Sequence, residues 1–433
     1  MRAVVLAAGE GTRMWPLAES KPKHLLPVAG KPILSYVLQA LAESSVKEVF
    51  VVVGYRGDLI RSVLGDGGCC GLHIEYLNQP RWTGTASAVK VAYQALGKGP
   101  FLVLYGDLWV NSSAVQAVME KAREFPRVMG VVRIPNASEY GVVELEGDKI
   151  LSVVEKPSRA PSAEGWVNTG IYVLDEEVFR AVERTAVSKR SEYELTSSLQ
   201  HLLRQGKEIK GAVVSREDWM DVGRPWDLLE ASERVLSNLP HRVGGTVEQG
   251  AVLKGPIWLE ESASVKSGSQ IEGPAFIGKD CRIGPNARIR PYSCIEDAVV
   301  IGTSCEIKSS IVMSGTRIPH LSYIGDSIIG ENCNIGAGTI TGNLRLDDET
   351  VKMRVKGRLL STGRKKLGVI MGDRVQTGIN VSIMPGVRIG SDARVGPGVI
   401  LYRDIPSGQS IMARQTTIKK LAKTRKSAEH KVV

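Results

Sequence analysis

Two rhythms of apolar residues divide this chain of 433 residues. In the first part, short apolar runs at Ala3–Ala8, Val49–Val53, Phe101–Tyr105 and Ile171–Leu174 are bounded by Gly or Asp and have the length of buried strands. Helical patterns such as Ile33–Leu41 and Ala86–Leu96 lie between them. Alternation of this kind predicts an α/β domain with a mostly parallel sheet. From Val247 the grammar changes. An aliphatic residue recurs every sixth position for twelve places, from Val247 to Met313, with Gly directly after it at Ile277, Ile283 and Ile301. The phase slips by one before Ile318, runs through Ile324, Ile329 and Ile335 with one more slip, and resumes from Met371 to Leu401. Such hexads predict a parallel β-helix, in which each aliphatic side chain stacks on those of the coils above and below.

The boundaries follow from these rhythms: an α/β domain at 1–236, a linker at 237–245 and a β-helix at 246–412. A polar, basic stretch at 341–367 interrupts the hexads and is read as a loop leaving the coil. The basic tail, 413–433, carries Ile418, Leu421 and Ala422 at helical spacing and reads as either a short amphipathic helix or a solvated segment.

Composition narrows the function classes. With 43% hydrophobic and 24% charged residues the chain is ordinary globular protein, which excludes collagen-like and disordered classes. Six Cys without CxxC spacing argue against a metal cage or disulfide framework, so buried free thiols in a reducing compartment are expected. The apolar stretch at Ala3–Ala8 is too short for a secretory signal and no run has the length of a membrane span, so a cytoplasmic protein without a membrane partner is expected. The net charge of +10 raises nucleic acid as a partner, but its distribution changes that view. Residues 1–242 hold 29 Lys and Arg against 29 Asp and Glu, whereas 243–433 hold 27 against 17. Lys352, Arg354, Lys356, Arg358, Arg364, Lys365 and Lys366 fall in the excursion with no acid between them, and Lys419, Lys420, Lys423, Arg425 and Lys426 in the tail. No aromatic interleaving or recognition motif accompanies them, so small anions are the better reading than nucleic acid.

The first candidate chemistry follows the first strand. Ala3–Ala8 runs into Gly9-Glu10-Gly11-Thr12-Arg13, then Pro16 and Lys21-Pro22-Lys23. A Gly-rich turn after a strand lets backbone N–H groups approach phosphate, with Arg and Lys adding charge. The string from Leu6 through Ala8, Gly9, Gly11, Thr12 and Arg13 to Lys23, Leu26-Pro27-Val28 and Gly30-Lys31-Pro32 resembles the signature of sugar-1-phosphate nucleotidylyltransferases. That resemblance implies a Rossmann-like α/β nucleotidyltransferase fold and gives roles to later residues. Gln79, Gly84 and Thr85 look like the base-recognition segment; Asp107 and Asp221 look like Mg²⁺ ligands. Gly141, Glu155, Lys156 and Asn168 look like sugar-phosphate contacts, although a structural ion pair would also explain Glu155 and Lys156. The implied chemistry is in-line attack of a sugar-1-phosphate oxygen on the α-phosphorus of UTP or dTTP, releasing pyrophosphate, with Arg13 and Lys23 offsetting charge. The stretch Met14 to Leu17 is closer to glucose-1-phosphate uridylyl- or thymidylyltransferases than to the bacterial N-acetylglucosamine-specific form.

The β-helix carries a second set. Arg290, Lys308, His320, Tyr323, Asn334, Ala337 and Asn343, with Lys366 after the excursion, resemble in spacing the acetyltransferase domain of bifunctional N-acetylglucosamine-1-phosphate uridylyltransferases, and the long excursion is similar to the archaeal form. That family's β-helix is left-handed, with acetyl-CoA as donor. An amino-sugar amine must lose a proton to attack a thioester, and imidazole is the side chain that ordinarily takes one near neutral pH, so His320 is the expected general base. Backbone N–H near Ala337 would stabilise the oxyanion. Arg290, Lys308 and Lys366 would hold the sugar phosphate, Tyr323, Asn334 and Asn343 the sugar, and Arg414 the CoA phosphates. A solvated rung is the alternative for Arg290 and Lys308. The other His (His24, His73, His201, His241, His430) stand in no motif. The family's sites lie between neighbouring β-helices, so a homotrimer or a multiple of it is expected. Two alternatives stay open: a monofunctional nucleotidylyltransferase whose β-helix only assembles or regulates, and a non-catalytic scaffold.

Overall fold

The computed structural model describes residues 1–416 except Trp82, 158–163 and Lys189. The segment read as an amphipathic helix or solvated tail, from residue 417 onward, lies outside the described residues. The α/β part contains β1 (Arg2–Ala7), β2 (Glu48–Val53), β3 (His73–Asn78), β4 (Phe101–Tyr105), β5 (Leu108–Val110), β6 (Val128–Pro135), β7 (Gly141–Glu146), β8 (Lys149–Glu155), β9 (Glu164–Leu174), β10 (Lys210–Val213) and β11 (Trp219–Asp221). The main sheet has the order β3-β2-β1-β4-β9-β6-β10-β8-β7. It is parallel from β3 to β4 and again between β6 and β10. The long β9 runs antiparallel to both β4 and β6, and β8 antiparallel to β10 and β7. Apolar runs report burial, not direction, which is why the run at Ile171–Leu174 gave no sign of this reversal.

Two layers of helices cover the sheet. α1 (Ile33–Glu43) buries Leu34, Val37, Leu38 and Leu41 against the β1 side. α2 (Thr85–Val91) and α3 (Leu195–Arg204) pack on the other face. The single helix expected over Ala86–Leu96 breaks at Ala92, with a separate turn at Tyr93–Leu96. α4 (Pro225–Ser237) starts on a Pro, whose missing N–H costs nothing at a first helical position.

The β-helix repeats in coils of about eighteen residues, three short strands to a coil. Ile257–Leu259 stacks on Ala275–Ile277, then Ser293–Ile295, then Ile311–Val312, all in parallel register. Stacking begins inside the stretch expected as linker: Arg242–Val243 pairs with Trp258–Leu259. One hexad assignment is corrected. Ile295 pairs with Val312, and Val312, not Met313, joins the interior column. Met313 points outward into the cluster between domains, so the phase slips after Ile307 rather than after Met313. Cys281, Cys294, Cys305 and Cys333 are buried thiols as expected, whereas Cys70 is exposed. Among the described residues no helix is long and apolar enough to cross a membrane.

The interior column sets stability. Ile301 is fully buried, while Ile400 faces solvent one position before inward Leu401. Ile301→Ala should cost about 2–5 kcal/mol, and Ile400→Ala under about 0.5 kcal/mol, by denaturant titration followed through far-UV signal.

The excursion leaves after Thr341, and Ile328–Ile329 pairs directly with Ile370–Met371, closing the coil beneath it. It is a hairpin, not a loop: β12 (Lys352–Val355) and β13 (Arg358–Ser361) pair antiparallel across a turn at Lys356-Gly357. Both turn residues have positive φ, 47° and 78°, the twist two-residue hairpins favour.

The two domains share a core. Met14, Leu17, Met220, Val222 and Trp226 pack with Phe276, Met313, Val351, Met353 and Val355. Polar contacts fasten the loop after Arg13 to the β-helix: Glu19 accepts from the Ser391 N–H (3.1 Å), Lys21 pairs with Glu331, and Arg388 lies 4.6 Å from the Trp15 ring.

Candidate functional site

A cleft of about 400 Å³ opens at the carboxyl ends of β1 and β4, where open α/β sheets bind ligands. Leu6, Ala8, Gly9, Gly11, Thr12, Arg13, Lys23, Gln79, Gly84, Thr85, Asp107, Gly141, Glu155, Lys156, Asn168 and Asp221, the whole set expected in the first domain, line it. Gly11 has φ +70°, and a Cβ there would come 3.1 Å from Lys23 Cβ, so the turn needs Gly to let Lys23 lie beneath it.

The small ladder between β5 and β11 brings two distant carboxylates together. Asp221 pairs with Leu108, and the Val222 N–H donates to the Asp107 carbonyl at 3.0 Å. Asp107 is buried and Asp221 half-buried. Burial would raise the Asp107 carboxyl, but Lys23, which forms an ion pair with it, together with His24 and Arg13 holds it below the usual range. Asp221 is pushed up by burial and by the charge of Asp107. Two mutually repelling carboxylates at a cleft fit a hard divalent cation. Among the described residues no group of three or more His, Cys, Asp or Glu is placed to hold one, so substrate oxygens would complete its shell, the arrangement Mg²⁺ favours.

Opposite the carboxylates, Gln79 Nε2 donates to Ser87 Oγ (2.8 Å) and the Gly84 carbonyl (3.3 Å). Gly84 has φ +124°, and a Cβ would meet the Tyr193 carbonyl at 2.4 Å, so this segment admits no side chain. Thr85 Oγ1 accepts from the Leu195 N–H at 2.9 Å, tying the segment to α3. Asn168 Oδ1 accepts from the Gly170 N–H, and its amide donates to the Tyr172 hydroxyl. Glu155 is bridged by Arg190 (3.2 Å), not by Lys156, so the suggested ion pair between neighbours is replaced by a longer one. Lys156 is lowered to about 8 by burial and by Arg13 and Arg190.

Sequence reasoning missed several lining residues. Arg190, Glu192 and Glu194 precede α3 in a segment without a motif. His24 is buried and lowered to about 3 by burial and Lys23; its place next to Lys23 was its only signal. Lys356 comes from the hairpin of the other domain.

The second set lies along one edge of the β-helix. Arg290, Lys308 and Gly325 occupy successive coils, since Ile289 pairs with Ile307 and Lys308 with Gly325. Lys308 Nζ lies 2.9 Å from buried Asp326, which also accepts from Asn343 Nδ2; Asn343 in turn donates to the Tyr323 hydroxyl at 3.3 Å. Asp326 was not foreseen, although it stands eighteen residues after Lys308. Arg290 pairs with Glu306 at 2.9 Å. Lys366 pairs across from Leu344, beside Asn343. His320 ends the strand Arg317–His320, around a corner from Tyr323. Because Arg317 pairs with Asn334, Ala337 lies one coil from His320, and Ser322 Oγ bridges the His320 (2.8 Å) and Gly336 (3.4 Å) carbonyls. Arg414 stands apart: Ala337, Asn380 and Gly398 are stacked by backbone bonds, and the segment carrying Arg414 follows beyond them. At ~4.8 Å per coil that is ~14 Å from Ala337. His320, Asn334, Lys366 and Arg414 are exposed.

Comparisons with known proteins agree with both halves. Residues 2–238 match the nucleotidyl transferase family, 271–378 the GMPPB C-terminal domain, and 368–403 the bacterial transferase hexapeptide family. The bifunctional protein GlmU of Methanocaldococcus jannaschii is 40% identical over 419 residues, covering 96% of this chain and 99% of that protein. The bifunctional sugar-1-phosphate nucleotidylyltransferase/acetyltransferase of Sulfurisphaera tokodaii is 37% identical over 94% of this chain and 99% of its own length. A glucose-1-phosphate thymidylyltransferase of Streptomyces griseus is 33% identical over 77% of this chain and 93% of its own.

Proposed function

This chain belongs to the family of bifunctional sugar-1-phosphate nucleotidylyltransferase/acetyltransferases that includes archaeal GlmU proteins, and from that premise we propose its substrates and the residues that act on them. The β-helix N-acetylates glucosamine-1-phosphate, or its galactosamine epimer, from acetyl-CoA. The α/β domain then joins N-acetylglucosamine-1-phosphate, or glucose-1-phosphate, to UTP or dTTP and releases pyrophosphate.

The observation that carries the first activity is the convergence of Arg13, Lys23, Asp107, Lys156 and Asp221 in one cleft. No covalent intermediate is required, so the residues position phosphates and neutralise charge. Asp107 and Asp221 would hold Mg²⁺, which when bound offsets negative charge on phosphate oxygens. Gln79 spends its N–H groups on Gly84 and Ser87, leaving its carbonyl oxygen for a donor such as the imide N–H of uracil or thymine. Arg13 and Lys23 flank the triphosphate, and Lys156 and Asn168 take the sugar phosphate. For acetyl transfer, His320 accepts the amine proton and the backbone near Ala337 faces the oxyanion. Arg290, Lys308 and Lys366 take the phosphate, Tyr323, Asn334 and Asn343 the sugar, and Arg414 the CoA phosphates. The exposure of His320, Asn334 and Lys366 supports a site shared between subunits, as in a homotrimer.

A panel of UTP, dTTP, ATP and GTP against several sugar-1-phosphates, with and without acetyl-CoA, tests these assignments. Rates highest with purine triphosphates would overturn the base assignment. Lys156 adds a pH signature. Its charge is present below about pH 8 and lost above it. The kcat/KM for the sugar-1-phosphate should therefore fall as pH rises through that value, and Lys156→Met should remove the decline. A decline that persists in the variant would assign it to another group.

A further inference from the structure

The hairpin excursion belongs to the β-helix, yet Lys356 at its tip lines the nucleotidyl-transfer cleft of the other domain. We propose that Lys356 is a substrate-binding residue of nucleotidyl transfer, holding a phosphate group and supplied by the acetyltransferase domain. The proposal rests on reading that cleft as the site of nucleotidyl transfer.

Strand alternation sets the direction of approach. Val351, Met353 and Val355 are buried, while Lys352, Arg354 and Lys356 face outward. The buried three enter the same core as Met14, next to Arg13, and as Met220 and Val222, which flank Asp221. Lys356, following Val355, thus reaches the cleft beside the core that carries the chain neighbours of Arg13 and Asp221. The tip is fixed by Arg354 Nη1 donating to the Gly357 carbonyl at 3.1 Å, and the hairpin base by Arg364 on Glu233 of α4 at 2.6 Å. The ties of Glu19, Lys21 and Trp15 to the β-helix hold the two domains in this placement.

Two features point to a ligand. Lys356 has φ 47°, at a turn position where Asn, Asp or Gly is the ordinary occupant, so backbone preference does not explain a Lys there. Nor does a counter-ion: Lys23 in the same cleft is paired with Asp107, whereas Lys356 forms no ion pair among the described residues. An ammonium on a flexible stem has donors only, and its fitting partner in a cleft that binds two phosphorylated substrates is a phosphate oxygen. The triphosphate chain and the sugar phosphate both offer one.

The test uses full-length Lys356→Ala and Lys356→Arg. Pyrophosphate release is measured with the nucleoside triphosphate and the sugar-1-phosphate varied separately, and acetyl transfer on the same preparations. Lys356→Ala should raise the KM of the substrate whose phosphate it holds by roughly tenfold, as expected for one charge-assisted contact. Its kcat should change by less than about threefold, and Arg should restore most of the KM, since either cation satisfies phosphate. Which KM moves identifies the phosphate. Both KM values within about twofold of wild type, an increase that Arg does not restore, or acetyl transfer falling in step would each overturn the proposal. Absence of pyrophosphate release in the wild type would instead sink the reading of the cleft itself.

Discussion

Asp107→Asn is expected to lower pyrophosphate release on the order of 10³-fold while leaving acetyl transfer at the wild-type rate. The substitution keeps shape and removes a buried carboxylate that the β5–β11 ladder brings beside half-buried Asp221. Asp221 is pushed up by burial and by Asp107, so the pair is arranged at electrostatic cost, which the proposed Mg²⁺ would offset when bound. An amide at 107 removes the repulsion and would, on the proposed reading, remove much of the affinity for Mg²⁺ with it. It also strips Lys23 of its direct ion-pair partner, leaving Asp221 as the nearby carboxylate that acts on it. Acetyl transfer is the control for folding, because the domains share the apolar cluster around Met14, Trp226 and Met353. A variant that releases pyrophosphate within tenfold of wild type would remove Asp107 from the mechanism.

The Gly-rich turn of the first site is legible because its chemistry is local in sequence, whereas the roles of the residues from Gln79 to Asp221 follow from resemblance alone. Gly9 to Arg13 follow one strand, and the requirement for Gly at 11 and 84 is a backbone requirement that sequence displays directly. What sequence could not display is where charge goes after folding. Glu155 sits next to Lys156 in the chain, yet its partner is Arg190. The interior hexads were readable because a column of Ile and Val has a fixed period, and the one misplaced phase, Met313 for Val312, arose where an outward residue is also apolar. That apolar outward residue is itself the trace of the domain interface. The basic excursion reads, in sequence, as a surface for small anions. Its hairpin places Lys356 in the other domain's cleft and commits Arg364 to Glu233, a destination set by docking that no local pattern encodes.

The same docking has a mechanistic consequence. Arg13 and Lys23 bracket a loop whose middle is held by Asp373, Glu331 and Ser391 of the β-helix. The placement of Arg13 and Lys23 therefore depends on contacts made outside the α/β domain, and with it the preorganisation their proposed role requires. The two proposed sites are chemically separate but not structurally independent.

His320→Ala should reduce acetyl transfer by about 10²–10⁴-fold, the usual range for a lost general base, with nucleotidyl transfer unchanged. The alternative is an exposed corner residue, and exposure alone would favour it. Geometry favours the base. The corner is fixed by Leu321 at φ 47° and by Ser322, which bonds the carbonyls of His320 and Gly336 and so holds His320 against the coil bearing Ala337. Around that corner lie Tyr323 and Asn343, joined through Asp326 to Lys308, so a phosphorylated sugar held by these groups along the edge would bring its amine toward the imidazole. An exposed residue without a role would leave acetyl transfer within about threefold of wild type. Nucleotidyl transfer on the same preparation reports whether the fold survives. If the loss of acetyl transfer is in kcat with the KM for the amino sugar preserved, His320 acts on the proton in the transition state; if only KM rises, it is a binding group and another base must be sought.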